Sequence, residues 1–218
     1  MLTYIHRYSW GVIRSDIQQE TKFDDIQMGW LDAGFNLTYA VGQVPGGFAG
    51  DVYGPRLLIT LSILIWSLFV IGPTLIKSFW GLLGIRAGFG AAQAPCYPNL
   101  GKVTANWFPE NSRTAVQGTV ATLCGRGGAA LAPIIISTLL IGKFGLTWRE
   151  AILVITAVGI VFGILFWLYF RNNPTEDSRV NQAEVELIKG YEASRREPSE
   201  STSVKLDLTP EKKWNMGW

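Results

Sequence analysis

Three arginines stand in stretches otherwise nearly free of charge: Arg7 within Met1–Ile13, Arg86 within Leu82–Trp107, and Arg126 near the middle of Arg113–Gly142. A guanidinium at membrane depth costs on the order of 3 kcal/mol, so each should face a bundle interior or a watery cavity. The alternative for Arg86 is snorkelling to the nearer interface. These stretches hold little negative charge to pair with the arginines; Asp32 falls toward the end of its own segment. An unpaired guanidinium in low dielectric seeks a carboxylate or phosphate, which its planar fork can hold bidentately. Gln93 lies two helical turns beyond Arg86 on the same face. Asp32, Asn36, Tyr39 and Gln43 recur at steps of four, three and four, which puts them on one face of another helix. Such a stripe must face protein or water, where it serves a ligand or hydrogen bonds between helices. Catalytic chemistry has no comparable signal. The sequence shows no nucleophile–base pair, metal-ligand cluster or phosphate loop, so neither enzyme activity nor a metal or cofactor is expected.

The elements that must position these residues are membrane helices. Of 218 residues 48% are hydrophobic and only 17% charged, with Gly 24, a balance that favours a membrane protein. A net charge of +2 without a basic block gives no reason to expect nucleic acid as a partner. Cys96 and Cys124 fall in apolar stretches and read as packing residues. The only histidine is His6, and the start shows no signal-peptide pattern.

Six helices are expected, at about 1–15, 26–48, 57–76, 79–107, 113–142 and 148–170, within an N-terminal transmembrane bundle over 1–172. Met1–Ile13 alone covers only about 20 Å as a helix, so it resembles the second half of a truncated span. Arg14–Asp25 reads as a loop, and Pro45-Gly46-Gly47 as the end of the second span. Pro95 and Pro98 break the backbone ladder where Tyr97 and Asn99 could re-satisfy it or face water. Gly159 and Gly163 form a small-residue packing face. The remainder, 173–218, is polar and largely flexible. It holds a short amphipathic helix at Val180–Tyr191, a linker at Glu197–Ser203 and a possible interface anchor at Lys212-Lys213-Trp214. Arg56, Lys102, Arg113, Arg171 and Arg179 fall at one side of the bundle, and Lys22, Lys77, Lys143 and Arg149 at the other. That bias places the loops after the second and fourth spans, and the tail, in the cytoplasm.

Gly47-Phe48-Ala49-Gly50-Asp51-Val52-Tyr53-Gly54-Pro55-Arg56 resembles the loop 2–3 signature of the major facilitator superfamily. Val52, Pro55 and Leu57 stand where that signature is often basic. Further stretches resemble its anion:cation symporter branch, which includes sugar-acid permeases: Tyr4-x-His6-Arg7, Phe35-x-x-x-Tyr39-x-x-Gly42-Gln43-x-Pro45-Gly46-Gly47, Arg86–Pro98, Asn106-Trp107-Phe108-Pro109, Arg126-Gly127-Gly128-Ala129 and Trp148-Arg149. The resemblance covers nearly the whole chain in order.

It implies the six-helix N-terminal half of an all-α, twelve-helix carrier, followed by its central cytoplasmic loop, with helix 1 truncated and the second half absent. Substrate would bind near the midplane between two halves that rock to give alternating access. The function it implies is secondary transport of small organic anions, sugar acids or other carboxylates, in the cell (inner) membrane of a bacterium. Expected partners are a small anionic substrate, a co-transported proton or cation, the lipid bilayer and the missing half. Tyr4, Arg7, Asn36, Tyr39, Gln43, Arg86, Gln93 and Arg126 are the expected substrate-binding residues. Of these Tyr4, Arg7, Tyr39, Arg86 and Gln93 should converge on one cavity. Gly47, Asp51, Gly54 and Arg56 form the expected cytoplasmic gate motif, with Asp51 meeting helix N-termini or a basic residue of the missing half. Relatives commonly carry acids where this chain has His6 and Gln93. Gln cannot titrate and His6 can, so coupling through His6, anion exchange and uniport all stay open. An organophosphate or anion exchanger, and a transport-fold anion sensor, are the alternative readings.

Overall fold

Trp10, Ile13 and Ile17 are buried at steps of three and four, the pattern of one continuous helix face. α1 accordingly runs Leu2–Thr21, about 30 Å at 1.5 Å per residue. The loop expected from Arg14 is therefore helix, because its polar residues find partners: Arg14 reaches Asp32, and Glu20 meets Arg149 and Lys77. Lys22, in the left-handed region (φ 59°), ends α1. The fold is a computed structural model; it describes residues 1–181 and 183–186.

α2 (Asp25–Tyr53) opens on a capping box in which Asp24 accepts from the Gln27 backbone and the Gln27 side chain from the Asp24 backbone. It passes through Pro45 and does not stop there. Gly46 faces Pro95 so closely that an added Cβ would lie 2.8 Å from the Pro95 Cα. Asn99 Nδ2 donates to the Gly46 carbonyl at 3.0 Å and to the Pro95 carbonyl at 2.8 Å. Packing and side-chain hydrogen bonds thus hold a helix that a Pro-Gly-Gly run would weaken in isolation. Gly54 (φ 82°) closes α2, and Pro55 opens α3 (Pro55–Leu75).

The stretch expected to be one helix over 79–107 is two. α4 (Phe79–Gln93) and α5 (Cys96–Trp107) are separated at Ala94-Pro95, where proline's missing N–H and ring interrupt the ladder. α6 (Glu110–Lys143) is continuous, with π-helical segments at Val120–Arg126 and Ile134–Lys143 on either side of Gly127–Pro133. α7 (Trp148–Tyr169) starts on a capping box made by Thr147 and Glu150. Pro174–Glu176 forms a 3-10 turn and 183–186 a helical turn. The rest of the expected amphipathic helix, the Glu197–Ser203 linker and Lys212-Lys213-Trp214 lie outside the described residues.

The described residues form an all-α bundle of six chain passes, the fourth kinked between α4 and α5. Its main core joins Trp10, Ile13, Met28, Leu31, Phe35, Ile63, Trp66, Leu82 and Phe89; a smaller one joins Ile136, Leu140, Ala151 and Ile155. Gly159 packs on Ser67 and His6, and Gly163 on Ile63 and Leu64, which brings α7 against α3. Among the described residues α3, α6 and α7 are long and apolar enough to cross a membrane. α1, α2, α4 and α5 carry the interrupting polar residues, and those residues build the candidate site.

Candidate functional site

Close approach of α2 to the kinked α4–α5 pass sets the geometry. Gly90 packs on Phe35 and Thr38, and Gly42 on Ala91 and Ala94. Thr38 Oγ1 also donates across the seam to the Ala87 carbonyl at 2.8 Å. Phe35 and Phe89 then meet at 5.4 Å between ring centroids, and the polar face of α2 lies beside that of α4.

Arg7 sits where α1 meets this seam. Its guanidinium carbon is 4.2 Å from the Tyr39 ring centroid, 5.1 Å from Phe35 and 5.6 Å from Tyr4, a cation–π arrangement. Its Nε donates to Gln93 Oε1 at 2.8 Å, while Gln93 Nε2 donates to the Thr3 carbonyl at 3.0 Å. Gln93 is fully buried, so these two bonds fix both its amide and the guanidinium plane. Arg7 Nη2 is buried without an acceptor, and Arg7 makes no ion pair among the described residues. Tyr4 turns its hydroxyl to Tyr97, at 2.8 Å.

Arg86 approaches the same phenyl ring from α4, its guanidinium carbon 4.8 Å from the Phe35 centroid and 4.4 Å from Trp10. It faces the bundle interior, with 6% of its surface exposed. Contrary to the sequence expectation it has a counter-charge: Nη2 is 3.4 Å from Asp32 Oδ1. Asp32 also accepts from Trp10 Nε1 at 2.7 Å and lies 3.6 Å from Arg14 Nη2. Linear spacing could not reveal these pairings, because they join three different passes.

The remaining expected residues disperse. Tyr4 lines a mostly apolar cavity of about 270 Å³ that also touches Cys96 and Cys124, whereas Arg86 lines a separate one of about 20 Å³. Tyr4 and Arg86 thus line different cavities. Asn36 is exposed and donates to its own helix, at the Asp32 carbonyl. Gln43 is half-buried one turn beyond Tyr39. Arg126 is exposed in a π-helical segment of α6. His6 points away from Arg7: the Trp66 indole donates to its Nδ1 at 2.8 Å, and its Nε2 lies 3.1 Å from the Ile155 carbonyl. An indole N–H only donates and a carbonyl only accepts, so the ring is held as the neutral Nε2–H tautomer. Sequence reading missed Phe35 and Trp10 as partners of the arginines. Phe35, three residues past Asp32 and four before Tyr39, was on the stripe and could have been found there.

At the Gly54 end, Asp51 pairs with Lys102 of α5, which also donates to the Gly47 carbonyl. The partner expected at a helix N-terminus or in a missing half is thus within this bundle. Arg56 donates to the Trp167 carbonyl, stacks on that indole at 4.2 Å, and offers its backbone N–H to Asn172 Oδ1 at 2.9 Å. The motif ties α2 to α5 and α3 to the end of α7.

Among known proteins, the chain is 28% identical over 178 residues to a hexuronate transporter of Bacillus subtilis, covering 81% of this chain and 41% of that one. It is 30% identical over 199 residues to a probable L-galactonate transporter of Escherichia coli, with 91% and 43% covered. A crystal structure of a bacterial homologue of the human lysosomal transporter Spinster, inward-facing and occupied, superposes with a TM-score of 0.62 at 27% identity, over 79% of this chain and 42% of that one. The chain therefore spans about two fifths of the length of these relatives. The sequence profile of the Major Facilitator Superfamily matches residues 1–212, and with the six-pass helical bundle just described the chain belongs to that superfamily of membrane transporters.

Proposed function

We propose that this bundle supplies half of the substrate site of a secondary transporter of small organic anions, sugar acids or other carboxylates, working by alternating access. The observation that carries the reading is Arg7: held by Gln93, ringed by Tyr4, Phe35 and Tyr39, and with a buried Nη2 that lacks an acceptor. A guanidinium so fixed presents N–H donors to a carboxylate without having to be ordered on binding. Tyr39 is placed to meet sugar hydroxyls, the buried Gln93 takes part by holding the Arg7 guanidinium, and Asn36 and Gln43 extend the Tyr39 helix face. Arg86 is a second, already occupied cation, and Arg126 a more remote one. The relatives named for hexuronate and L-galactonate support the substrate class. The second half of the site belongs to a further bundle of the complete carrier.

In this reading the bundle lies in the cell membrane of a bacterium. The α2–α3 and α5–α6 loops and the segment after α7 face the cytoplasm, since Arg56, Lys102, Arg113, Arg171 and Arg179 gather at that end. A proton or other cation is co-transported with the anion. The test is calorimetric titration of the complete carrier that contains this bundle, in lipid nanodiscs, with D-glucuronate and D-galactonate. Saturable binding that is lost on Arg7→Gln supports the reading. A folded complete carrier that binds neither sugar acid overturns it.

A further inference from the structure

We infer that one ordered water molecule binds in the small cavity between α1, α3 and α4, where it accepts from Arg86 Nε and donates to the Phe69 carbonyl and to Ser9 Oγ. It ties the three helices together and gives Arg86 Nε the acceptor that the protein does not supply.

Three observations carry it. First, an arginine in the cavity wall lacks a partner. Arg86 has 6% of its surface exposed, and its Nε is buried without an acceptor. Its Nη2 goes to Asp32, which is not in that wall. A buried N–H left unmet is costly, and nearly all such groups find a protein or water partner. Second, α3 lacks a donor at the same place. Pro73 lies within α3 and has no N–H, so the Phe69 carbonyl loses the donor it would have one turn on. Phe69 and Pro73 both line the cavity. In membrane helices, ordered water is among the groups that meet a carbonyl freed by proline. Third, the size fits. The cavity holds about 20 Å³, against the roughly 10–15 Å³ that one water needs. A sugar acid is too large for it.

The chemistry of the wall selects water over an ion. Its other polar side chains are His6, Ser9 and Trp10. His6 has both ring nitrogens committed to Trp66 and Ile155, and the Trp10 indole donates to Asp32. Ser9 donates to the His6 carbonyl at 2.7 Å, which leaves its oxygen free to accept. The site therefore offers a donor, Arg86 Nε, and two acceptors, Ser9 Oγ and the Phe69 carbonyl. Water answers all of them with the about three bonds usual for a buried water. A halide only accepts, so it would leave both acceptors facing an anion, and Arg86 already has Asp32 as its counter-charge. With the water bound, Arg86 is a fixed strut between α1, α2 and α4. Of the two guanidinia on the Phe35 ring, Arg7 is then the one left with an open donor. That consequence deepens the organic-anion reading, but the water site does not depend on it.

The test is a crystal structure of the complete carrier that contains this bundle, grown in chloride and in bromide, at a resolution that shows buried water. The expected result is density within hydrogen-bond distance of Arg86 Nε, Ser9 Oγ and the Phe69 carbonyl, the same in both salts. No density there, where other buried waters are seen, overturns the inference. Density that gains a bromide anomalous signal makes the ligand a halide and overturns it equally. Val70→Ile then adds one carbon to the cavity wall. If water fills the site, the added carbon displaces it, and the thermal midpoint of the folded carrier should fall by a few degrees as Arg86 Nε loses its acceptor. A midpoint that rises means that the carbon has filled a dry void, and overturns the inference. Should the variant fail to fold, the wild-type density alone decides. None of these measurements reads anion binding, so failure of the organic-anion reading would leave the water site standing.

Discussion

Arg7 and Arg86 look alike in the sequence, each a lone guanidinium in an apolar stretch, yet their surroundings divide the work between them. Arg86 has an aspartate; Arg7 has an amide oxygen, three aromatic faces and a spare N–H. The stronger test of the anion reading therefore falls on Arg7. Arg7→Lys keeps the charge but removes the Nε bond to Gln93 and the fork that a carboxylate needs. It should weaken D-glucuronate binding by about 1–3 kcal/mol, the scale of a charged hydrogen bond, with the thermal midpoint little changed. Unchanged affinity by calorimetry would mean that point charge alone suffices and that the cage is structural. Single-helix periodicity made Asp32, Tyr39, Arg86 and Gln93 legible as polar faces. It could not say that Asp32 would reach Arg86 from another pass, nor that His6 would turn its back on Arg7, because both depend on how the helices are rotated against one another.

At the scale of elements, the seam between α2 and the α4–α5 pass is what sets those rotations. Gly46 has the Pro95 backbone where a side chain would go, and backbone cannot swing aside. Gly46→Ala should therefore destabilise the fold by about 1–3 kcal/mol, the range for overpacking. Gly101, on α5, has nothing within 4 Å of where a Cβ would stand. Gly101→Ala should be neutral or stabilise by up to about 1 kcal/mol through helix propensity. Thermal unfolding of the two variants side by side checks the contrast, and equal effects would count against the seam. Here the sequence misled: Pro45-Gly46-Gly47 reads as a helix end, and only the partner surface of Pro95, Pro98 and Asn99 explains why α2 continues. The end of α7 offers a pH test. Asp177 accepts from the Arg179 guanidinium at 2.6 and 2.8 Å, and that cation holds its carboxyl well below the ordinary 3.8, at about 2. Because the folded value is depressed, the clasp contributes fully above the ordinary value and is lost as pH falls through about 2. A carboxyl carbon titration of Asp177 by NMR should find its midpoint there; a midpoint near the ordinary value would mean the clasp does not form in solution.

For the whole molecule, apolar outer surfaces and polar inner helices were legible from composition and from the long runs of α3, α6 and α7. Which end faces the cytoplasm has to be argued from charge. Lys77 and Arg149, at the Gly145 end, both pair with Glu20. At the Gly54 end Lys102 is paired with Asp51, while Arg56 and Arg171 donate to backbone carbonyls at the close of α7. Lys and Arg near span ends resist translocation, and nearby acids change this little, so the proposed orientation keeps the larger basic set, at the Gly54 end, in the cytoplasm. The expected outcome can be read with single cysteines on a background of Cys96→Ala and Cys124→Ala. Gly145→Cys, in the α6–α7 loop, should react with a membrane-impermeant maleimide in intact bacteria. Ser112→Cys, in the first turn of α6, should react only after permeabilisation. The reverse pattern would invert the bundle, and labelling of both sites in intact cells would mean that the six passes do not all cross.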